Sequence, residues 1–303
     1  MTEMPFTSPQ GFEASVAAPK QAGEAHWFVF KGERLLVELG PPSARPSDDP
    51  RVAARPSWAS LPLQKNNNIL WFEPARTLYL GRLAGTDCWA AEAPADASAP
   101  PPGLAWEGLR ALFSVLEDAH FALAGRAIQL LDWDRSHRHC GRCGTPTEAK
   151  SEERARACPA CKLSVYPRIS PAVMALVRRK GEILLGRSPH FPPGMYSALA
   201  GFVEPGESLE DCCRRETIEE VQVTVGECTY DGSQTWPFPH QLMVGFICRY
   251  ESGQIIPDPT ELSHAAWFHH TTLPELPPSY ALSRQLIDRW IAKQAEQQNA
   301  TLL

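Results

Sequence analysis

The sequence lacks an apolar run approaching the roughly 20 residues that a bilayer-spanning helix needs, so no membrane span is expected. Its first residues, MTEMPFTSPQGFEAS, contain no basic segment leading into an apolar one, so no signal peptide is expected. Positive charge is in deficit: 29 Lys and Arg stand against 35 Asp and Glu, for a net charge of −6. That balance argues against a broad basic face that holds nucleic acid, but not against recognition of a single RNA end. No internal repeat is present. A disulfide framework is also missing. Of nine cysteines, four form two C-x-x-C pairs, and Cys88, Cys212, Cys213, Cys228 and Cys248 are scattered. This usage suits a reducing cytoplasm and a metal site.

What is present is ample for a buried core, with 43% hydrophobic residues in 303, and divides into three regions. Residues 1–135 hold the strand-like runs HWFVF (26–30) and TLYLGRL (77–83), then the loop-like APADASAPPPG (93–103). The stretch 108–137 has helical spacing, with Leu109, Leu112, Phe113 and Leu116 on one face and Gly125 expected to kink one helix or separate two. PPSARPSDDPRVAARP (41–56) reads as a flexible loop. Residues 136–167 form a short cysteine-bearing region. Residues 168–303 open on AVMALVRR, a Lys180-Gly181 turn and EILLGR, which predict a hairpin. The strands LMVGFICRY (242–250) and AAWFHH (265–270) and a helix over 280–298 follow. Strands and helices mix without βαβ regularity, so the predicted class is α+β.

Cys140 and Cys143, then Cys158 and Cys161, each flank two residues. A C-x-x-C turn delivers two thiolates to one ion, and two such turns complete a tetrahedral zinc site. Four thiolates leave no open position, so the role expected of this site is structural. His137 and His139 beside it read as surface residues.

The stretch 201–223, GFVEPGESLEDCCRRETIEEVQV, is crowded with acids. Ser208 is a good N-cap, Asp211 sits three residues on, and a helix is predicted from Leu209 to Val221. On that helix Glu216, Glu219 and Glu220 share a narrow sector, where like charges repel unless a cation lies between them. Magnesium or manganese answers that repulsion with oxygen coordination. Arg215 pairs with Glu207 or a helix glutamate and fixes its rotamer. A bare E-x-x-E-E is more often a solvated charged face.

Here the sequence resembles a known family. Gly201, Glu207, Arg215, Glu216, Glu219 and Glu220 match the Nudix box, G-x5-E-x7-R-E-U-x-E-E-x-G-U, with Thr217 at an apolar position and Gln222 in place of the final glycine. SQTWPFPHQL (233–242) is similar to the SQPWPFPxS motif of the NADH pyrophosphatases, which are also NAD-capped RNA hydrolases. Thr235 and Gln241 depart from that motif. An aromatic pair stiffened by prolines is a rigid platform for a flat ring. RSHRHCGRCG…CPACKLSVYP, SALAGFVEPGE, TLYLGRLAG and LAGRAIQLLDW extend the likeness.

The resemblance implies a Nudix α/β/α sandwich preceded by a four-cysteine zinc ribbon and an N-terminal α/β domain. It implies that Glu216, Glu220, Glu261 and the carbonyl of Ala200 hold Mg²⁺ or Mn²⁺, two or more per site, with Glu219 a ligand or the group that activates water. The substrate residues implied are Tyr166, Glu153, Phe202, Gln234, Thr235, Trp236, Pro237, Phe238, Pro239, His240 and Gln241, with Arg110 and Ser283 matched more loosely. The implied activity is metal-dependent hydrolysis of the pyrophosphate of NAD(H) to NMN(H) and AMP, and removal of the NAD cap from RNA to leave a 5′-monophosphate. A homodimer with one structural zinc per chain, in the cytoplasm, is implied as well. Two alternatives stand beside it. One is a Nudix hydrolase of another nucleotide, such as ADP-ribose or a dinucleoside polyphosphate. The other is a non-catalytic zinc-ribbon binder of nucleic acid, using Arg135, Arg138, Arg142, Arg154, Arg156 and Lys162.

Overall fold

The computed structural model describes residues 6–20, 23–41, 59–62 and 71–301. The loop expected over 41–56 lies outside them from residue 42 onward. The chain divides into two units, one ending at Arg168 and one beginning at Ile169.

In the first unit, β1 (Phe12–Ala14), β2 (Ala25–Lys31), β3 (Arg34–Leu39), β4 (Ala59–Ser60), β5 (Arg76–Leu83), β6 (Thr86–Glu92) and β7 (Leu104–Gly108) form a seven-stranded sheet. Its order is β1-β5-β6-β2-β3-β4, with β7 also on β3. Helix α1 (Asp118–Ser136) packs on β2, β5 and β6. The helical stretch expected over 108–137, kinked or divided at Gly125, is instead divided well before it. Leu109–Leu112 is one 3₁₀ turn, Phe113 is extended, Ser114 is left-handed (φ 65°), and α1 starts only at Asp118. Leu109, Leu112 and Leu116 are all buried although the chain leaves the helix between them, which is why their spacing misled. Gly125 lies inside α1, which continues through it.

The cysteine turns border a small antiparallel sheet of β8 (Glu148–Ala149), β9 (Arg156–Ala157) and β10 (Ser164–Val165). Arg135, Arg154 and Arg156, three of the six basic residues read as a possible binding surface, are engaged inside this unit. Arg156 is buried and donates to Asp134 at 2.5 Å and to Thr147; Asp134 also accepts from Arg76 at 2.7 Å. Arg154 donates to the carbonyls of Ser15 and Tyr79, and Arg135 to Glu92 and Asp132. These contacts use up charge that a nucleic-acid surface would need free.

The second unit contains β11 (Ser170–Arg179), β12 (Glu182–Arg187), β13 (Leu199–Phe202), β14 (Thr224–Trp236), β15 (Gln241–Ser252) and β16 (His264–His269). The sheet runs β14-β15-β11-β12-β16, with β13 also on β11. The Lys180-Gly181 turn closes the expected β11–β12 hairpin at the Arg179–Glu182 pair. Two helices cover its faces: α2 (Leu209–Val221) and α3 (Leu282–Thr301). The period-two alternation of β11 shows how. Val173, Ala175 and Val177 pack with Cys212, Cys213 and Val221 of α2. Ala172 and Leu176 pack with Leu282, Leu286, Ile287 and Trp290 of α3. The result is the α/β/α sandwich that the resemblance implies.

Candidate active site and structural metal site

Helix α2 starts on Ser208, whose hydroxyl oxygen accepts the Asp211 N–H at 3.2 Å and donates to the Asp211 carboxylate at 2.7 Å. It ends on Gln222, which adopts the left-handed conformation (φ 57°, ψ 32°) that a glycine takes without strain. The Gln222 N–H reaches the Ile218 carbonyl at 2.9 Å and the Val223 N–H reaches Thr217 at 3.2 Å. A side chain there costs about 1 kcal/mol. Gln222→Gly is therefore expected to stabilise the protein by up to about 1 kcal/mol, seen as a higher denaturant midpoint at unchanged slope. A lower midpoint would contradict a strained helix end.

Glu216 and Glu220 are buried, at 8% and 4% exposure. Their carboxylates converge with that of exposed Glu261, one oxygen of each lying within 4.8 Å of the others. The loop that brings Glu261 in is hung from the end of α2. The Ile256 N–H bonds the Val221 carbonyl at 3.0 Å, the Asp258 N–H bonds Glu220 at 2.8 Å, and the Glu261 N–H bonds Asp258 at 3.1 Å. On the β13 side, the Ala200 N–H donates to Glu220 Oε1 at 3.3 Å. Gly201 gives room: a Cβ there would stand 1.8 Å from the Glu216 carboxyl carbon.

Arg215 organises the acids around it. Its Nε and Nη2 bind Glu207 at 2.8 and 2.9 Å, and its Nη1 binds Glu216 and Glu219, both at 2.8 Å. Nη2 also donates to the Phe202 carbonyl at 2.9 Å. The guanidinium brings Glu207 down to about 2, with help from the Glu204 N–H. Glu219 is exposed, turned to Arg215, and outside the convergent trio.

Burial pushes Glu216 above the usual carboxylate range. Burial likewise pushes Glu220 up to about 8; the Ala200 N–H opposes this, and the charges of Glu216 and Glu261 add to it. Two buried carboxylates whose ionisation is opposed in this way, converging with a third from Glu261, fit a hard divalent cation, which takes oxygen ligands and keeps water on its open side.

A cavity of about 370 Å³ begins at the same strand, with Ala200, Gly201 and Phe202 in its wall. Gln234, Trp236, Gln241 and Met243 line it from the β14–β15 hairpin, where Trp236 pairs with Gln241 and Gln234 with Met243. Thr235 alternates away from this face, so the threonine departure is not in the wall. Pro237, Phe238, Pro239 and His240 form the hairpin turn and are not in the wall either. Phe238 touches Trp236 edge-on at 5.3 Å, and the His240 ring meets the Ser170 hydroxyl at 3.2 Å. Ser283 is buried and lines the cavity.

The residue that sequence reasoning missed is Tyr280. It lies nearly parallel to Trp236 (6.0 Å, 19°) and lines the same cavity. Buried Gln234 fixes it there, donating to the Tyr280 carbonyl at 2.7 Å and accepting the Leu282 N–H at 2.9 Å. No local signal in PPSYALS marks this partnership. In the first unit, Tyr166 is exposed and its hydroxyl donates to Glu153 at 3.2 Å, which also accepts from Lys150 at 2.7 Å. Arg110 is exposed on the 3₁₀ turn.

The four ribbon sulfurs lie within 4.8 Å of one another, Cys140 to Cys161 and Cys143 to Cys158 both at 3.5 Å. The two turns share one construction. Cys140 N–H bonds Thr145 and Gly144 N–H bonds Cys140; Cys158 N–H bonds Leu163 and Lys162 N–H bonds Cys158. Gly144 and Lys162 take the matching left-handed positions (φ 74° and 62°). The Arg142 and Cys161 N–H groups point at the sulfurs of Cys140 and Cys158, both at 3.4 Å. Hydrogen bonds from Thr145 bring Cys143 down to about 6. This donor set fits zinc. His137 is turned instead to the Trp133 carbonyl, at 2.8 Å. Cys158→Ser is expected to lower the melting temperature markedly, a loss of several kcal/mol, because ion binding here is folding energy. An unchanged melt would count against a structural ion.

The sandwich and its carboxylate helix are those of the Nudix class, and a model of the NUDIX domain matches residues 167–290. Models of the NADH pyrophosphatase-like rudimentary NUDIX domain and of the NADH pyrophosphatase zinc ribbon domain match residues 24–133 and 135–166. The chain is 41% identical over 284 residues to the NAD-capped RNA hydrolase NudC of Chromobacterium violaceum, covering 94% of this chain and 96% of that one. It is 39% identical over 296 residues to the NudC of Deinococcus radiodurans, covering 96% of each. It is 46% identical over 237 residues to that of Pseudomonas syringae pv. syringae, covering 78% and 80%. The chain belongs to the NudC family of Nudix hydrolases.

Proposed function

We propose that this chain cleaves the pyrophosphate of NAD(H) to give NMN(H) and AMP, and removes the NAD cap from RNA to leave a 5′-monophosphate. The observation that carries this reading is continuity. Ala200 and Gly201 lie against the buried glutamates and also form the wall of a cavity that holds Trp236 and Tyr280. A dinucleotide whose pyrophosphate meets the carboxylates would lay one ring in that cavity against an aromatic surface. The NAD-capped RNA hydrolase relatives and the NADH pyrophosphatase domain matches support the same substrate class.

In this reading Glu216, Glu220, Glu261 and the Ala200 carbonyl hold Mg²⁺ or Mn²⁺, two or more per site. Bound there, the divalent cation supplies neutralisation of the pyrophosphate charge and acidification of the attacking water. Arg215 keeps Glu216 oriented and ties the Glu207 loop to α2. Glu219, outside the trio and exposed, accepts the proton of the water. Gln234 holds Tyr280 beside Trp236. Phe202, Gln241 and Ser283 contact the substrate in that cavity; for Tyr166, Glu153 and Arg110 the same role rests on the family resemblance. The active form is a cytoplasmic homodimer with one structural zinc per chain, built from regions 1–135, 136–167 and 168–303.

Trp236→Ala is expected to lower kcat/KM on NADH by roughly 10- to 100-fold, the worth of one base-stacking surface, with the fold retained. An unchanged value would remove Trp236 from the binding site. The reading as a whole is tested by comparing kcat/KM on NADH, NAD-capped RNA and ADP-ribose. Preference for ADP-ribose over both would overturn it.

A further inference from the structure

The second unit holds a sulfur cluster that the hydrolytic site does not use. Cys213 lies in α2, Cys228 in β14 and Cys248 in β15, and Cys228 and Cys248 are direct partners in the strand ladder. Although far apart in sequence, their sulfurs lie within 4.8 Å of one another. All three are free thiols. Their exposure is graded. Cys213 and Cys248 are fully buried, and Cys228 is half-buried, so it is the member that a small solute can reach.

We propose that Cys213, Cys228 and Cys248 form a reversible oxidation site, in which Cys228 reacts with a hydroperoxide and closes a disulfide on one of the two buried thiols. Geometry favours this, because an accessible thiol with buried thiols beside it is the arrangement in which a sulfenic acid is resolved. Hydrogen bonds from Cys213 and Cys248, and the charge of Arg214, also push the Cys228 thiol down. The surroundings favour a disulfide over a soft metal ion. Three thiolates on a monovalent ion would leave net negative charge among Val173, Val177, Val225 and Phe246, whereas a disulfide is neutral.

The chemistry balances. The Cys228 sulfur attacks one peroxide oxygen, the O–O bond breaks, and the departing alkoxide or hydroxide takes the thiol proton. The neighbouring thiol then attacks the sulfenic sulfur, the S–O bond breaks, and water leaves with the second thiol proton. Two thiols and one hydroperoxide give one disulfide, one alcohol or water, and one water. Closure draws two sulfurs to about 2 Å. Closure on Cys213 would anchor α2, the helix that carries Glu216 and Glu220, to β14. Closure on Cys248 would link two strands that are already paired.

The test uses the full zinc-loaded protein, exposed in its folded state to micromolar hydrogen peroxide, alkylated, and mapped by peptide mass. The expected result is a cross-link from Cys228 to Cys213 or Cys248, a mass lower by about 2 Da, and reversal by a dithiol. Cys228→Ser protein should form no such cross-link while the ribbon keeps its zinc. A cross-link to Cys213 should come with a reductant-reversible fall in kcat, and one to Cys248 with kcat unchanged. Oxidation of Cys228 only to sulfinic or sulfonic acid, or of the ribbon cysteines alone, would overturn the proposal. So would a second zinc per chain that disappears in Cys228→Ser, which would make the cluster a metal site.

Discussion

Glu220→Gln is expected to lower turnover on the order of 10²- to 10³-fold while the protein folds normally, because a buried ligand charge is worth several kcal/mol to the transition state. The amide is close in size and can still accept the Ala200 N–H that now bonds Glu220 Oε1. What it lacks is charge. The same variant should also carry a pH signature. In the folded protein Glu220 titrates near 8, against an ordinary value of 4.5, because it is buried. Between those values the folded state holds a proton that the unfolded chain has released, so stability falls as pH rises. Without added divalent ion, the wild-type melting temperature should therefore drop between pH 5 and pH 8 more than that of Glu220→Gln. Added Mg²⁺ should abolish the difference by balancing the carboxylate charge. Parallel pH profiles for the two proteins would count against a buried, charge-frustrated Glu220.

Gly201→Ala is expected to cost about 10²-fold in kcat/KM, since a misplacement of about 1 Å at a reacting centre costs that much. The new Cβ would stand 1.8 Å from the Glu216 carboxyl carbon and about as close to its oxygens. Those atoms end a flexible side chain, so the carboxylate can swing aside and the melting temperature should change little. The swing takes Glu216 away from Glu220, Glu261 and Arg215 together. The effect should therefore be non-additive: in a Gly201→Ala background, Glu216→Gln should do little further harm. Full additivity in that double-mutant cycle would mean that Gly201 acts through something other than Glu216.

The parts of this structure that were legible in sequence are those specified locally. The bounds of α2 follow from Ser208 and Asp211 at one end and the box pattern along its length. The ribbon turns follow from C-x-x-C spacing, and the β11–β12 hairpin from Lys180-Gly181. What was hidden depends on tertiary contact. Strand β14 was missed because Gly226, Asp231 and Gly232 interrupt its apolar alternation and register shifts fall before Cys228 and Gly232. Tyr280 meets Trp236 only because Gln234 bridges to the start of α3. The Cys213–Cys228–Cys248 cluster needs one helix and two strands to assemble. Gln222 was marked as out of place by the box pattern, and it bends as the missing glycine would, with the strain kept.

The most direct measurement is the rate of NADH cleavage as Mg²⁺ or Mn²⁺ is added, for the wild type and Glu220→Gln, with products resolved by chromatography. The expected result is NMNH and AMP in equal amounts from the wild type, only with divalent ion, and almost none from the variant. NADH left intact while another nucleotide is cleaved, or Glu220→Gln retaining wild-type turnover, would contradict it.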